Sequence, residues 1–312
     1  RRKGNVTEGH ALTMYTPEEA SHGISLQCTP AFCEYAGAKI NLLDTPGFMD
    51  FVGETLAAIR VADSAVIVVS ATSGVEVGTE TVWEYAEDRG VPRFFFLSMM
   101  DKEHASFERV YQDIKAQLTE KVVPVEIPIG EGDDFRGIIN LFSERAHMFK
   151  AGTEKGDYDE VDVPEELQAK FEKWETELQE TLATTDEALL DRYLDEGKIS
   201  REEAIQAMHK GVASGDIVPL FCGSAENSYG MQALLKGLVD LCPSPTEAAG
   251  ELAQRTGMEE EVHLSASDDE TFSALIYKTA LEPHIGEMSY FRVMSGTVSN
   301  GQQVKNGERG SV

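Results

Sequence analysis

The chain has 312 residues, with 55 acidic against 27 basic side chains and a net charge of −28. Such acidity excludes a cationic body that wraps nucleic acid, because phosphate binding rests on Lys and Arg, although a local RNA contact stays open. Hydrophobic residues make up 41%, enough to bury a sizeable core; the length exceeds one ordinary core, and no apolar run reaches the ~20 residues of a membrane helix.

The opening Arg1-Arg2-Lys3-Gly4 lacks an apolar signal core, which argues against secretion. Leu26–Tyr35 and Lys39–Leu43 flank the turn Ala36-Gly37-Ala38 and predict a hairpin, followed by the loop Asp44-Thr45-Pro46-Gly47. Val52, Leu56 and Ile59 fall on one helical face and predict a helix over Asp50–Ala62. Ala65–Ser70 and Arg93–Ser98 are continuous apolar strands. Between them the helix Glu80–Arg89 is stopped by Gly90, ahead of Pro92. Ser106–Leu118 is the next helix. Apolar strands separated by helices predict a parallel sheet covered on both faces.

Past Pro124 the composition changes. Ala151–Val212 holds 18 acidic and 7 basic residues, and Glu165–Thr184 and Glu202–Val212 read as helices with charged, solvated outer faces. A short apolar strand then returns at Pro219–Cys222, followed by Gly223-Ser224-Ala225 and a helix over Gly230–Leu241. The sheet pattern resumes as though interrupted, so the acidic stretch reads as an inserted subdomain. Pro243-Ser244-Pro245 ends the last helix, Glu247–Glu270 reads as a polar linker, and Phe272–Lys278 with Met288–Val293 read as antiparallel strands of an unclosed barrel. The expected division is a first core part at 1–124, the acidic insertion at 125–215, a last core part at 216–246, a linker at 247–270 and a barrel start at 271–312. Cys28, Cys33, Cys222 and Cys242 form no C-x-x-C pair and read as reduced thiols of a cytoplasmic protein; H-E-x-x-H, G-x-S-x-G and G-x-G-x-x-G are absent.

Three strand ends carry chemistry. Asp44 directly follows the strand Lys39–Leu43, where a carboxylate can hold a water on Mg²⁺, and Gly47 lets a backbone N–H approach a terminal phosphate. Ser98-Met99-Met100-Asp101 closes another strand, where Asp101 can accept two hydrogen bonds from the edge of guanine. Gly223-Ser224-Ala225 follows the last strand, where a backbone N–H can meet the guanine carbonyl. Each segment has a plainer reading. Asp44–Gly47 can be an ordinary turn, Asp101 a helix cap or the partner of Lys102, and Ser224 a turn residue. Their coincidence on one edge of one sheet favours a guanine nucleotide.

With these residues in place, the chain resembles the N-terminal part of elongation factor G, a translational GTPase family. The similarity runs through Arg1–Gly9, Pro17–Ser25, Ile40–Arg60, Gly74–Asp88, Asp101-Lys102, Phe221–Leu241, Leu241–Pro245 and Tyr290–Gly301. It implies an α/β fold: a Ras-like GTPase domain with an inserted subdomain, followed by part of a β-barrel domain. It also implies that the nucleotide is met by Asp44, Gly47, Ser98, Asp101, Ser224 and Ala225. Ser25 and Asp44 would serve Mg²⁺, Asp44 through water. The implied ligands are GTP, GDP and Mg²⁺. The implied partners are the ribosome, through its RNA and stalk proteins, and the tRNA–mRNA complex; the chain is expected to be monomeric and cytoplasmic.

Four departures qualify the resemblance. The phosphate-cradling G-x-x-x-x-G-K-[ST] is absent; in the family it lies upstream of the stretch that Arg1 opens, so the chain is expected to begin after it and to hold GTP and Mg²⁺ weakly by itself. Phe48 stands where the family has the histidine that orients the attacking water, and it offers neither donor nor acceptor. Ser98 and Met99 replace the Asn-Lys of the base motif. His22-Gly23-Ile24-Ser25 replaces Arg-Gly-Ile-Thr, keeping a hydroxyl for Mg²⁺ and giving up a permanent charge. The expectation is a divergent relative with altered or slow GTP hydrolysis. The alternatives are a regulatory or scaffold protein with weak nucleotide binding, or a ribosome-protection or release-recycling factor.

Overall fold

In the computed structural model, which describes residues 4–6, 8–248, 250–254, 261–282, 285–306 and 310–311, the first element is a short helix, α1 (Pro17–His22). Six residues carry too little periodicity to be read from sequence; the helix exists because its start is closed by a capping box. Thr16 Oγ1 accepts from the Glu19 N–H, and the Glu19 carboxylate accepts from the Thr16 N–H. Arg1–Lys3 and Thr7, part of the first similar stretch, lie outside the described residues. Strands β1 (Thr29–Tyr35) and β2 (Ala38–Asp44) form the expected hairpin, starting three residues later than predicted. Ala36 and Gly37 both take positive φ, at 48° and 82°, the two-residue turn whose twist suits paired strands. Helix α2 (Val52–Ile59) follows a single 3₁₀ turn at Met49–Phe51 and is shorter than predicted at both ends.

Strand β3 (Ala65–Ser70), helix α3 (Val77–Asp88), strand β4 (Arg93–Ser98) and helix α4 (Phe107–Gln117) then alternate, leading to the short strand β5 (Val122–Pro124). The chain next makes a detour. Strands β6 (Glu126–Ile129), β7 (Gly137–Asn140), β8 (Arg145–Phe149) and β9 (Tyr158–Asp162) pair in sequence as an antiparallel sheet. Helices α5 (Gln168–Ala183), α6 (Glu187–Glu196) and α7 (Arg201–Ser214) follow. Sequence reading missed these four strands because they are short and carry no clear alternation of their own. It also missed α6, whose start is set by the Asp186 side chain accepting from the N–H groups of Ala188 and Leu189. Strand β10 (Val218–Cys222) returns to the first sheet and helix α8 (Met231–Leu241) closes this unit. The resulting parallel sheet runs β3-β4-β10-β5, so β10 lies between two strands written far earlier in the chain, before the detour.

Its centre is apolar on every side. Phe94, Phe95 and Leu97 of β4 are fully buried. Trp83 of α3 stacks on Phe95 with ring centroids 5.4 Å apart, and Arg93 lies over the Trp83 ring while pairing with Glu87 at 3.1 Å. The same core continues into the detour. Trp174 of α5 meets the rings of Phe107 and Tyr111 edge-on at 5.7 and 5.0 Å, and the Tyr111 hydroxyl donates to Glu177. Burial and the facing Glu177 carboxylate push the Tyr111 phenol well above its ordinary range.

A second compact unit spans Pro243–Val312. Within the stretch read as a linker, β11 (Glu251–Gln254) pairs antiparallel with β12 (Glu261–Leu264); residues 255–260 and Ala249 lie outside the described set. The alternation of Leu252 and Val262 with polar neighbours was hidden by the acidic composition. The two alternating runs become the long antiparallel pair β13 (Ser273–Glu282) and β14 (Gly286–Ser295), with β15 (Lys305–Asn306) and β16 (Gly310–Ser311) a short further pair.

One buried acid has a measurable consequence. Glu126 opens β6 opposite Asn140, is fully buried, and neither carboxylate oxygen makes a well-formed hydrogen bond. Burial pushes its pKa up to about 8, outweighing the opposing pull of the Asn140 side chain and the Cys222 backbone nearby. The folded state therefore holds this proton while the unfolded chain releases it at the ordinary carboxylate value. Stability is full below that value, falls as pH rises toward 8 by roughly 1.4 kcal/mol per unit, and is flat beyond. Glu126→Gln, which keeps the shape without the charge, should match the native protein at pH 4 and melt higher at pH 8. Thermal unfolding across pH 4–9 reads the difference, and parallel curves would rule out a neutral buried Glu126.

Candidate nucleotide site

Strands β3, β4 and β10 run parallel, so their carboxyl ends face one edge of the sheet, the usual ligand edge of an open α/β sheet. Backbone bonds stitch the loops that leave this edge. Ala71 N–H donates to Ser98 O at 2.9 Å, Gly223 N–H to Leu97 O at 2.9 Å, and Met100 N–H to Gly223 O at 3.1 Å. Gly223 is obligatory here, because a Cβ would lie 2.2 Å from the Tyr229 carbonyl and 2.9 Å from the Phe96 ring.

Asp101 sits within this stitched edge. Its Oδ2 accepts from the Asn227 side-chain amide at 3.0 Å and lies 3.6 Å from Lys102 Nζ; its Oδ1 is buried and has no partner. Helix α4 is not capped by Asp101: the Phe107 N–H at its start donates to Glu131 Oε1 at 2.8 Å. The Lys102 pairing foreseen as a plainer role does exist, and Lys102 reaches Glu226 more closely, at 2.6 Å. Ser224 is buried. Its Oγ accepts from the Asn227 N–H and the Asn227 side chain, both at 3.3 Å, and its own N–H donates to Tyr229 O at 3.0 Å. Of the two loop amides, only that of the exposed Ala225 is therefore left unspent inside the loop. Ser98 makes no side-chain hydrogen bond to Asp101, and Met99 takes a positive φ of 65° and is 48% exposed.

Asp44, Gly47, Phe48 and Ser25 belong to the hairpin end: against the expectation of three strand ends on one edge of one sheet, β1 and β2 pair only with each other among the described residues, so Asp44 does not end a strand of the sheet that carries Asp101 and Ser224. Asp44 closes β2 directly opposite Thr29, so the register brings it to the end of the hairpin from which the Ser25 segment enters. Phe48 caps the 3₁₀ turn Met49–Phe51 and is 55% exposed. The Ser25 segment is held by two carboxylates that sequence reading passed over. Glu19, wholly buried, accepts from the Thr16 hydroxyl at 2.9 Å, Leu26 N–H at 3.0 Å and Gln27 N–H at 3.4 Å. Burial by itself raises the Glu19 pKa, but these donors outweigh it and hold the carboxyl below its ordinary value. Glu54 of α2 accepts from the Cys28 N–H at 2.7 Å, and the neighbouring Thr55 hydroxyl donates to Pro46 O at 3.3 Å. The Thr-x-x-Glu spacing of Thr16 and Glu19 was the one available sequence signal for this clasp.

No cluster of three or more His, Cys, Asp or Glu side chains fit to hold a metal occurs among the described residues. Ser25 and Asp44, the residues expected to serve Mg²⁺, offer a hydroxyl and a carboxylate, oxygen donors of the kind that cation takes together with its waters. A groove of about 680 Å³ lies elsewhere, between α5, α6 and α7.

Residues 1–244 match the family described as the elongation factor Tu GTP binding domain. Over 307 residues the chain is 37% identical to elongation factor G of Thermotoga maritima and 36% identical to that of Thermotoga petrophila, covering 98% of this chain and 44% of each relative. A crystal structure of a Thermus thermophilus protein matches with a TM-score of 0.85 at 31% identity, over 100% of this chain and 43% of that one. The chain thus spans less than half the length of the relatives it matches.

The clasp on the Ser25 segment is testable without any ligand. Glu19→Ala leaves the Leu26 and Gln27 amides without their acceptor. Their hydrogen-exchange protection should fall roughly tenfold or more, while β4 amides keep theirs. Equal loss in both places would mean that Glu19 supports the whole fold and not this segment.

Proposed function

The chain belongs to the elongation factor Tu GTP-binding domain family and is similar over 98% of its length to elongation factor G; from that premise we propose that it is the nucleotide-reading part of a translational GTPase that acts on the ribosome and hydrolyses GTP slowly. The observation that carries this reading is Asp101: a carboxylate just past a parallel strand end, with one buried oxygen that has no partner among the described residues. Guanine offers a ring N–H and an exocyclic amine to such a group. Adenine offers neither there and would leave the oxygen unmatched, a penalty of about 1–3 kcal/mol.

In this reading the Ala225 amide meets the guanine carbonyl, the Gly47 amide approaches the terminal phosphate, Asp44 holds a water on Mg²⁺, and the Ser25 hydroxyl replaces one magnesium water. Mg²⁺, when bound, neutralises charge on the transferring phosphate. Phe48 does not orient the attacking water, since its ring has no hydrogen-bonding atom. The segment 125–215 is the inserted subdomain of the GTPase core, and its acidic outer helices are the face for ribosomal stalk proteins. The site of action is the cytoplasm; no described helix is long and apolar enough to cross a membrane. A second reading, a regulatory or scaffold protein that keeps the fold and binds nucleotide weakly, is favoured by Ser98, whose side chain makes no hydrogen bond to Asp101.

Three outcomes test the proposal. Calorimetry on the 312-residue chain should give GTP binding weaker than micromolar, because the sequence contains no phosphate-cradling glycine-lysine loop. In the full protein that carries this chain, Phe48→His should raise the single-turnover rate on ribosomes by an order of magnitude or more. An unchanged rate would acquit Phe48, and no ribosome-stimulated turnover in either form would favour the scaffold. Asp101→Asn should shift preference from GTP toward XTP, whose carbonyl replaces the amine. Equal binding of ATP and GTP by the native protein would end the base-reading role.

A further inference from the structure

We infer that Asn227 is the positioning residue of the base site, holding Asp101 in the orientation that reads guanine. The inference rests on the base-reading role proposed for Asp101 and names the group that makes it work in this chain.

Asp101 ends a loop whose own side chains give it little support. Ser98 makes no hydrogen bond to it, and Met99 has no polar hydrogen to offer. A carboxylate at the end of a loop rotates freely about its Cα–Cβ and Cβ–Cγ bonds unless an oxygen is held, and a rotating acceptor pair cannot match two donors on a flat ring. One oxygen is held here. The Asn227 Nδ2 donates to Asp101 Oδ2 at 3.0 Å, and the same amide donates to Ser224 Oγ at 3.3 Å. Ser224 Oγ is itself fixed, because the residue is fully buried and also accepts the Asn227 N–H. Asn227 therefore bridges a rigid anchor on the β10 loop to the side chain at the end of the β4 loop.

The bridge is local and directional. Both hydrogens of the Asn227 amide are used, one on each partner, and each Asp101 oxygen has two acceptor positions; Lys102 Nζ faces Oδ2 at 3.6 Å, outside hydrogen-bond distance, so Oδ2 keeps its second position for a ligand. Oδ1, held in the same carboxylate plane, is buried without a partner, the state expected of an acceptor set in place before its ligand arrives. The backbone bond from Met100 N–H to Gly223 O fixes the loops' separation, and the Lys102–Glu226 pair links them on the outside. Neither of those contacts touches the carboxylate, and Lys102 Nζ faces Oδ2 only at 3.6 Å; the hydrogen bond that sets its rotation is that of the Asn227 amide.

The test uses the full protein that carries this chain, with fluorescent GDP, XDP and ADP as probes, in native form and as Asp101→Asn, Asn227→Ala and Asn227→Gln. Asn227 is exposed, so its truncation should leave the melting temperature unchanged. Asn227→Ala should weaken GDP binding about tenfold and narrow the GDP-over-XDP preference, without altering how XDP itself binds by more than about twofold. Asn227→Gln, which keeps an amide donor on a longer arm, should recover part of both. If Asn227→Ala binds GDP as tightly as the native protein, or more tightly, then Asn227 does not position Asp101 and the inference falls alone. If the native protein binds ADP as well as GDP, the base-reading role of Asp101 falls and takes this inference with it.

Discussion

Strand β4 is covered on both faces and hydrogen-bonded along both edges, and the rest of this structure is arranged around that burial. Phe94, Phe95 and Leu97 are without solvent exposure, between β3 on one side and β10 on the other. No side chain along such a strand is available for chemistry, so chemistry is displaced to where the strand stops. Parallel pairing adds a second constraint. Every strand of the sheet stops at the same edge, and the loops of residues 98–102 and 223–227 are forced together although they are far apart in the chain. The apolar run is thus the reason that Asp101 and Ser224 share a neighbourhood.

The acidic detour is fastened by the same core. Trp174 of α5 lies against the rings of Phe107 and Tyr111 on α4, and the buried cluster runs without interruption from the sheet into helices α5 and α7. The negative charge of this stretch lies on its outer surface. There it is partly met by lysines, such as Lys198 between Glu144 and Glu175 at 2.7 and 2.8 Å. Exposed pairs of this kind add little stability, so the attachment rests on the aromatic contact.

The two candidate segments are held by different means. Around Asp101 the loops are joined by backbone hydrogen bonds and a glycine that admits no side chain, an arrangement with little freedom. Around Ser25 the chain is held by the carboxylates of Glu19 and Glu54, which gather three consecutive amides, Leu26 to Cys28, from a helix before and a helix after. Side-chain clasps can release and re-form without disturbing a sheet. Thr55, beside Glu54, donates to the Pro46 carbonyl, so one turn of α2 touches both the Ser25 segment and the loop that carries Gly47.

The sequence by itself determined the parallel sheet, the hairpin with its Ala36-Gly37 turn, and the strand-end positions of Asp44, Asp101 and Ser224. Continuous apolar strands, helical spacing and glycine turns are local signals, and each was present within a few residues. It also determined the likeness to elongation factor G, because Asp44–Gly47 and Gly223–Ala225 recur in order with the insertion between them. What lay beyond it were the small elements, α1, α6 and β6 to β9, whose few residues carry no period of their own. So did the three holding groups, Glu19, Glu54 and Asn227. Each of these acts on a partner, and for Glu54 and Asn227 that partner lies 26 and 126 residues away in the chain. Glu126 escaped notice for the same reason: nothing in its neighbours marks it as buried, and only the packing of β6 beside β10 removes it from water. Tertiary structure decided these roles because a hydrogen bond needs two atoms within about 3 Å, and for long-range pairs only the folded chain brings them there.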